Sequence, residues 1–259
     1  MGCLVEPDLL ERLRGKRYSQ APVLDENGNA VGIITLANLE EYLAHGEAVT
    51  LDSGKVDVSV LPLTTSIGEL LSLFSFKSCA LVKGENLDGA SQVRLLTISD
   101  LNKPPLRHFI YKVLFQLETD LAYLIADRIK EPNEWITLLP KGSQVSILGN
   151  WEIQKRDDIE LAVGPLFSCT MTDLRHVVLG HIGIRTLLGY SNREKANGDL
   201  FRIVSMRNRV MHPVRPLVTS IKSVQGLLKT FQGIESVLNR IEAASPTGIE
   251  HRLSKVPGP

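Results

Sequence analysis

The first hundred residues spell one order of elements twice, and that repetition constrains the fold more than any other feature of the chain. In the first copy, Pro22-Val23-Leu24-Asp25-Glu26-Asn27-Gly28-Asn29-Ala30-Val31-Gly32-Ile33-Ile34-Thr35 sets two short apolar runs around Asn-Gly-Asn. Those residues tolerate the positive φ that a tight hairpin turn demands. A helix with Leu39, Tyr42 and Leu43 follows. In the second copy a short helix from Ser66 to Phe74 leads into a strand, Cys79-Ala80-Leu81-Val82, then a glycine-containing turn and a strand, Val93-Arg94-Leu95-Leu96-Thr97. A further helix opens at Ser99-Asp100. Helix, hairpin and helix returning at this period read as a two-copy α/β module, with repeats over about 8–46 and 57–106.

From about Arg107 the period changes to that of helices. Ile110, Val113, Leu114, Leu117, Leu121, Leu124 and Ile125 mark a long amphipathic helix that ends before Pro132. A second is expected from Thr172 or Asp173 to about Leu188, and a third from Asp199 to Met211. The last uses Ile221, Val224, Leu228, Phe231, Ile234, Leu238 and Ile241. These suffice for an all-α bundle over 107–243, with 244–259 as a flexible tail. The stretch from Glu131 to Asn150, punctuated by Pro132, Pro140, Gly142 and Gly149, reads as a connection. Between the halves, Asp100-Leu101-Asn102-Lys103-Pro104-Pro105-Leu106-Arg107 supplies a stiff diproline, which transmits displacement where a Gly/Ser linker would absorb it. The chain is thus expected to be multi-domain, an α/β pair followed by a bundle. Its 259 residues, 43% of them hydrophobic, can fill both cores.

Several chemistries are set aside by what the chain lacks. With 29 Lys+Arg against 29 Asp+Glu, no global field draws it to RNA or to an anionic membrane. Cys3, Cys79 and Cys169 are odd in number and scattered, so neither a disulfide framework nor a zinc site is expected. His176 and His181 are not spaced like a metalloprotease pair, and no Gly-rich loop precedes Lys-Ser or Lys-Thr. Asp157-Asp158 reads as helix-start charge rather than as a metal site. No apolar run reaches the length of a membrane span, and Met1-Gly2-Cys3-Leu4-Val5-Glu6 does not open like a secretion signal, so a cytoplasmic location is expected.

The chemistry-bearing stretch is Met206-Arg207-Asn208-Arg209-Val210-Met211-His212-Pro213. Arg207 shares a helical face with Leu200, Ile203, Val204 and Met211, where a guanidinium is costly unless paired or lining a polar site. Glu118 sits on the apolar stripe of the first long helix and is its natural partner. Pro213 keeps His212 out of the α region, placing the imidazole at the helix end, with Asn208 one turn earlier. Between Leu200 and Ile234 stand Arg202, Arg207, Arg209, Arg215, Lys222 and Lys229 without one acidic residue, the local positive charge a phosphate backbone needs. The same residues also have a purely structural use: a histidine before proline caps helices, and an arginine on an apolar stripe can serve an internal carboxylate.

Arg207-Asn208-Arg209-Val210-Met211-His212 resembles the Arg, four residues, His signature of the HEPN family, with Asn after Arg as in many of its ribonucleases. The resemblance implies a helical bundle, a homodimer with a composite site, and metal-independent RNA cleavage in a stress or defence role. Arg207, Asn208, His212 and Glu118 would be catalytic, and Arg202, Arg209 and Arg215 would hold RNA. Some HEPN proteins are toxins neutralised by an antitoxin partner that modifies a nearby tyrosine; here Pro213-Val214-Arg215 offers none. The alternative is an RNA-binding or scaffold protein with an inactive motif.

In the first half, the strand-to-helix junctions Thr35-Leu36-Ala37-Asn38 and Thr97-Ile98-Ser99-Asp100 resemble those of a tandem CBS pair, where Thr, two residues, Asp binds a nucleotide ribose. The resemblance implies an adenine nucleotide (AMP, ADP or ATP) as regulatory ligand on Thr97, Ser99 and Asp100, and more weakly on Thr35 and Asn38, since asparagine lacks the charge of a bidentate acceptor. The structural alternatives are a helix N-cap for Asp100 and a dimerisation surface for the module.

Overall fold

A computed structural model describes residues 8–25, 27, 30–45, 55–56, 58–85, 91–157 and 164–244. An N-terminal α/β region with small sheets precedes a mostly helical part. By contacts the chain divides into two compact units, one of Met1–Leu101 with Val218–Gln225, the other of Asn102–Leu217 with Gly226–Pro259.

In the first unit, α1 (Leu9–Gly15) leads to β1 (Gln20–Leu24), β2 (Ala30–Thr35) and α2 (Leu36–Ala44). The strands pair antiparallel with Gln20 opposite Thr35, and a bulge at Val23/Leu24 marks the approach to the turn. Gly28 and Asn29 of that turn lie outside the described residues. Leu13, Val23, Ile34 and Leu39 form one core cluster, because helix and strand each turn their apolar face inward. A short β3 (Lys55–Val56), not expected from the sequence, adds to the free edge of β2.

The second half of this unit begins with β4 (Val60–Pro62), also unanticipated, which pairs parallel with β5 (Cys79–Glu85). Between them runs α3 (Ile67–Phe74), fixed at its start by a capping box. There the Glu69 amide donates to the Ser66 hydroxyl at 3.2 Å while the Glu69 carboxylate accepts from the Ser66 amide at 2.8 Å. β5 and β6 (Ser91–Thr97) pair antiparallel along their whole lengths. Ile33 of β2 packs with Cys79 and Leu81 of β5, so the two sheets share apolar contact. The helix expected at Ser99-Asp100 is instead a 3₁₀ turn, Ile98–Asn102.

The helical unit opens with α4 (Pro104–Arg128), and here the diproline behaves differently from a spacer. Pro104 and Pro105 occupy the first turn of the helix, where a missing N–H costs nothing and the fixed φ is already helical. The stretch expected as a connection folds as α5 (Pro132–Ile136) and α6 (Lys141–Arg156), since each proline stands at a helix start. Asp157 therefore caps the end of α6 rather than starting a helix, and Asp158 lies outside the described residues. A 3₁₀ turn, Gly164–Ser168, precedes α7 (Met171–Gly180) and α8 (Ile182–Leu187). The single helix expected there is broken at His181, which leaves the α region and caps α8, its Nδ1 accepting from the Ile184 amide at 3.2 Å. α9 (Arg193–Met211) starts earlier than expected because the Asn192 side chain accepts from the Lys195 amide at 2.8 Å. α10 (Ile221–Ala244) closes the described chain.

α4, α7 and α9 pack against one another. Ile110, Leu114, Leu117 and Leu121 of α4, Leu174, Val177 and Val178 of α7, and Leu200 and Ile203 of α9 are all buried. Among the described residues no helix is long and apolar enough to cross a membrane.

Candidate functional site

The buried face of α9 is Ala196, Leu200, Ile203, Met206 and Val210. Its axis lies one residue off the expected stripe, so Arg207 borders the core instead of entering it, and Met211 is 44% exposed. Glu118 borders the core of α4 in the same way, one position after the buried Leu117. The two rims meet. Arg207 Nε donates to Glu118 Oε1 at 3.2 Å, with the side chains 34% and 27% exposed. At that exposure the pair retains solvent-accessible donors and contributes modestly to stability, about 1 kcal/mol or less.

Tyr111, Leu114, Phe115, Val210 and Met211 surround the pair and form an open groove with it. Tyr111 and Phe115, overlooked in the sequence, expose ring faces with centroids 6.3 Å apart. Their signal was a second aromatic row on α4 beside the apolar stripe, spaced by one turn. Beyond the groove, His212 ends α9 at φ −111° and ψ 89°, outside the α region as the following proline requires. His212, Asn208, Arg209 and Arg215 are exposed. The side chains of Asn208 and His212 form no hydrogen bond among the described residues. Arg202 is paired with Asp199 and is thereby partly neutralised, whereas Arg209 and Arg215 form no ion pair among the described residues.

The turn carrying His212 is fixed by Arg107 and Asn102, both from the junction around the diproline. Arg107, only 9% exposed, donates through Nη1 to the Arg209 carbonyl at 2.9 Å, through Nη2 to the Arg215 carbonyl, and through Nε to the Asn102 carbonyl at 3.2 Å. The Leu217 amide donates to Asn102 Oδ1 at 2.7 Å. A cation three residues before Ile110, on the stripe of α4, was the available signal.

In the α/β unit, Asp100 is not the N-cap. Its Oδ2 accepts from the Thr97 amide at 2.7 Å and the Thr97 hydroxyl at 2.8 Å, and the Thr97 and Ser99 hydroxyls lie 2.6 Å apart. Thr97 is the cap and Asp100 the third residue of the turn that answers it. Thr35 and Asn38 repeat the arrangement: the Asn38 amide donates to the Thr35 hydroxyl at 3.1 Å, which donates to Asn38 Oδ1 at 2.9 Å. Within each junction the side chains lie together through these local bonds, in a geometry that serves the backbone.

Of the remaining histidines, His176 is held below its ordinary pKa by burial first, then by Arg175 and Arg193 against the opposing pull of Asp173. Among the described residues no three His, Cys, Asp or Glu side chains cluster as metal ligands.

Comparison with known proteins adds one firm point. The chain is 29% identical to cystathionine beta-synthase of Oryctolagus cuniculus over 125 residues, 47% of this chain and 21% of that protein, so it spans about a fifth of that relative's length. The CBS domain family model matches residues 7–45, the copy whose junction carries Asn38 in place of aspartate. With α1, β1, β2 and α2 packed on one core over that interval, the N-terminal region of this chain contains a CBS domain.

Proposed function

We propose that residues 1–106 are a CBS pair that senses an adenine nucleotide, and that residues 107–243 are a HEPN-like bundle that cleaves RNA without a metal as a stress or defence effector. The observation that carries the ribonuclease reading is Arg207 held by Glu118 at 3.2 Å on the rim of an open groove, with His212 just past the end of the same helix. His212 supplies an imidazole, a group able to deliver a proton to the leaving oxygen. Arg207 suits the negative charge that builds on the phosphorane, and Glu118 orients it. Asn208, one turn before His212, would hold a phosphate oxygen. A second copy facing the first across a two-fold axis would double the positive charge over the RNA, so the active species is expected to be a homodimer.

The mechanism uses the 2′-hydroxyl as nucleophile: its oxygen bonds to phosphorus as the bond from phosphorus to the 5′-oxygen breaks, its proton passes to solvent, and His212 supplies a proton to the departing 5′-oxygen. The purified protein should therefore cut single-stranded RNA in EDTA, leave 2′,3′-cyclic phosphate ends, and spare DNA. Loss of a general acid typically lowers a rate by about 10² to 10⁴, so His212→Ala and Arg207→Ala should each nearly abolish cutting while preserving the fold. Variants as active as wild type would assign the cutting to another site. RNA retained on the protein but never cut would favour a binding or scaffold role.

A further inference from the structure

We propose that Arg107 and Asn102 form a clamp whose task is to position His212, a proposal that rests on the ribonuclease reading above. Pro213 has no N–H, so the Arg209 carbonyl loses the donor that would normally close the last turn of α9. Arg107 Nη1 takes that donor's place at 2.9 Å. The same guanidinium binds the Arg215 carbonyl on the far side of His212, and Asn102 Oδ1 holds the Leu217 amide at 2.7 Å. Residues 211–216 are all exposed, with Val214 at 92%, so no buried side chain anchors this turn between Val210 and Leu217. Its one internal bond is the Arg215 amide to the His212 carbonyl at 2.9 Å. The position of the imidazole therefore depends on the backbone tethers from outside.

The chemistry of the clamp is specific to arginine. Among the described residues no carboxylate pairs with Arg107, and its charge is met by carbonyls at the negative end of α9. A planar guanidinium reaches three carbonyls in fixed directions at once, and a lysine ammonium at the same place cannot span them. Arg107 and Asn102 act through His212 and are positioning residues, not catalytic ones.

The test compares the full-length wild type with Asn102→Ala, Arg107→Lys and Arg107→Met. Steady-state cleavage of a labelled single-stranded RNA in EDTA gives kcat and KM, amide hydrogen exchange follows the segment 209–218, and thermal melting reports the fold. Asn102→Ala is the mild variant, because it removes the Leu217 tether and leaves Arg107 in place. Displacement of a reacting group by an ångström costs on the order of 100-fold, so kcat is expected to fall about 10- to 100-fold in Asn102→Ala and Arg107→Lys. KM should change less than kcat, because the Arg207 groove is untouched while Arg209 and Arg215 ride on the clamped turn, and exchange at Leu217 should quicken. Unchanged exchange overturns the clamp. Faster exchange with unchanged kcat overturns its positioning role, and an Arg107→Lys variant equal to wild type overturns the need for the fork. A wild type that cuts no RNA sinks the ribonuclease reading instead, and the exchange data then decide the clamp alone: protection lost in Asn102→Ala sustains it, protection retained refutes it.

Discussion

Burial of single ionisable side chains sets how the helical unit should respond to alkali. Cys169 is pushed up from 9.0 to about 12, chiefly by burial and then by the negative charge of Asp173. Tyr190 is pushed up from 10.0 to about 12, again chiefly by burial, then by Asp199, with Arg240 and Arg202 pulling the other way. Both folded values lie above the unfolded ones, so the folded state holds its protons longer. The stability tied to the neutral groups is complete below pH 9 and is lost as pH rises toward about 12. The melting temperature should therefore decline across that interval, less steeply in Cys169→Ala throughout it and in Tyr190→Phe in its part above pH 10. Melting curves that shift in parallel for wild type and variants would count against this. The same scale shows what a sequence can and cannot reveal. Glu118 and Arg207 were legible as partners because opposite charges on two apolar stripes have few other solutions. Arg107 obeys the same logic, yet its acceptors are backbone carbonyls, which every residue carries and no sequence pattern marks.

At the scale of elements, the end of α8 shows how little sequence is needed to stop a helix and how much then hangs on it. Gly189 adopts φ +73°, the Tyr190 amide donates to the Arg185 carbonyl at 3.0 Å, and the Gly189 amide donates to the Thr186 carbonyl at 2.8 Å. This is the paired closure that a left-handed residue permits. Arg240 of α10 lies over the glycine and donates to the Leu188 carbonyl, and a Cβ at position 189 would stand 1.8 Å from its Nη1. Gly189→Ala thus combines the left-handed cost of an L-residue, about 1–2 kcal/mol, with loss of the Arg240 bond, about 1 kcal/mol more. Urea titration should show a drop of about 2–3 kcal/mol; a change within 0.5 kcal/mol would mean that both backbone and arginine relax freely. Hairpins and long helices were legible because period and turn residues agree there, as in Val23 to Ile34 and Ile110 to Ile125. The stretch 132–156 was not, since a proline that opens a helix and one that breaks it are the same letter. His181 escaped for a related reason: an imidazole acting as a cap acceptor has no distinguishing pattern.

At the scale of the whole molecule, the proposed function makes the CBS region a sensor and the helical region the effector, and the chain between them is short. Asp100 and Asn102 belong to one 3₁₀ turn, Ile98–Asn102. Asp100 closes its start through Thr97, and Asn102 at its end holds the Leu217 amide. A nucleotide whose ribose hydroxyls bind the Asp100 carboxylate must compete with or reorganise the bonds from Thr97, in the same turn that Asn102 ends. Adenine nucleotide is thus expected to alter the RNA cleavage rate, and it can do so only by binding one arrangement of the turn better than another. The homodimer is expected to persist throughout, which light scattering at micromolar concentration checks; a monomer would speak against the composite site. Calorimetry with AMP, ADP, ATP and S-adenosylmethionine identifies the ligand. Asp100→Ala should weaken its binding by about 1.5–3 kcal/mol, the range for a hydrogen bond to a charged group. Asn102→Ala separates sensing from response: the nucleotide should bind as it does to wild type, while its effect on the residual cleavage rate disappears. An equal nucleotide response in wild type and Asn102→Ala would route the coupling elsewhere, and no heat with any of the four ligands would leave the CBS region without the sensing role proposed for it.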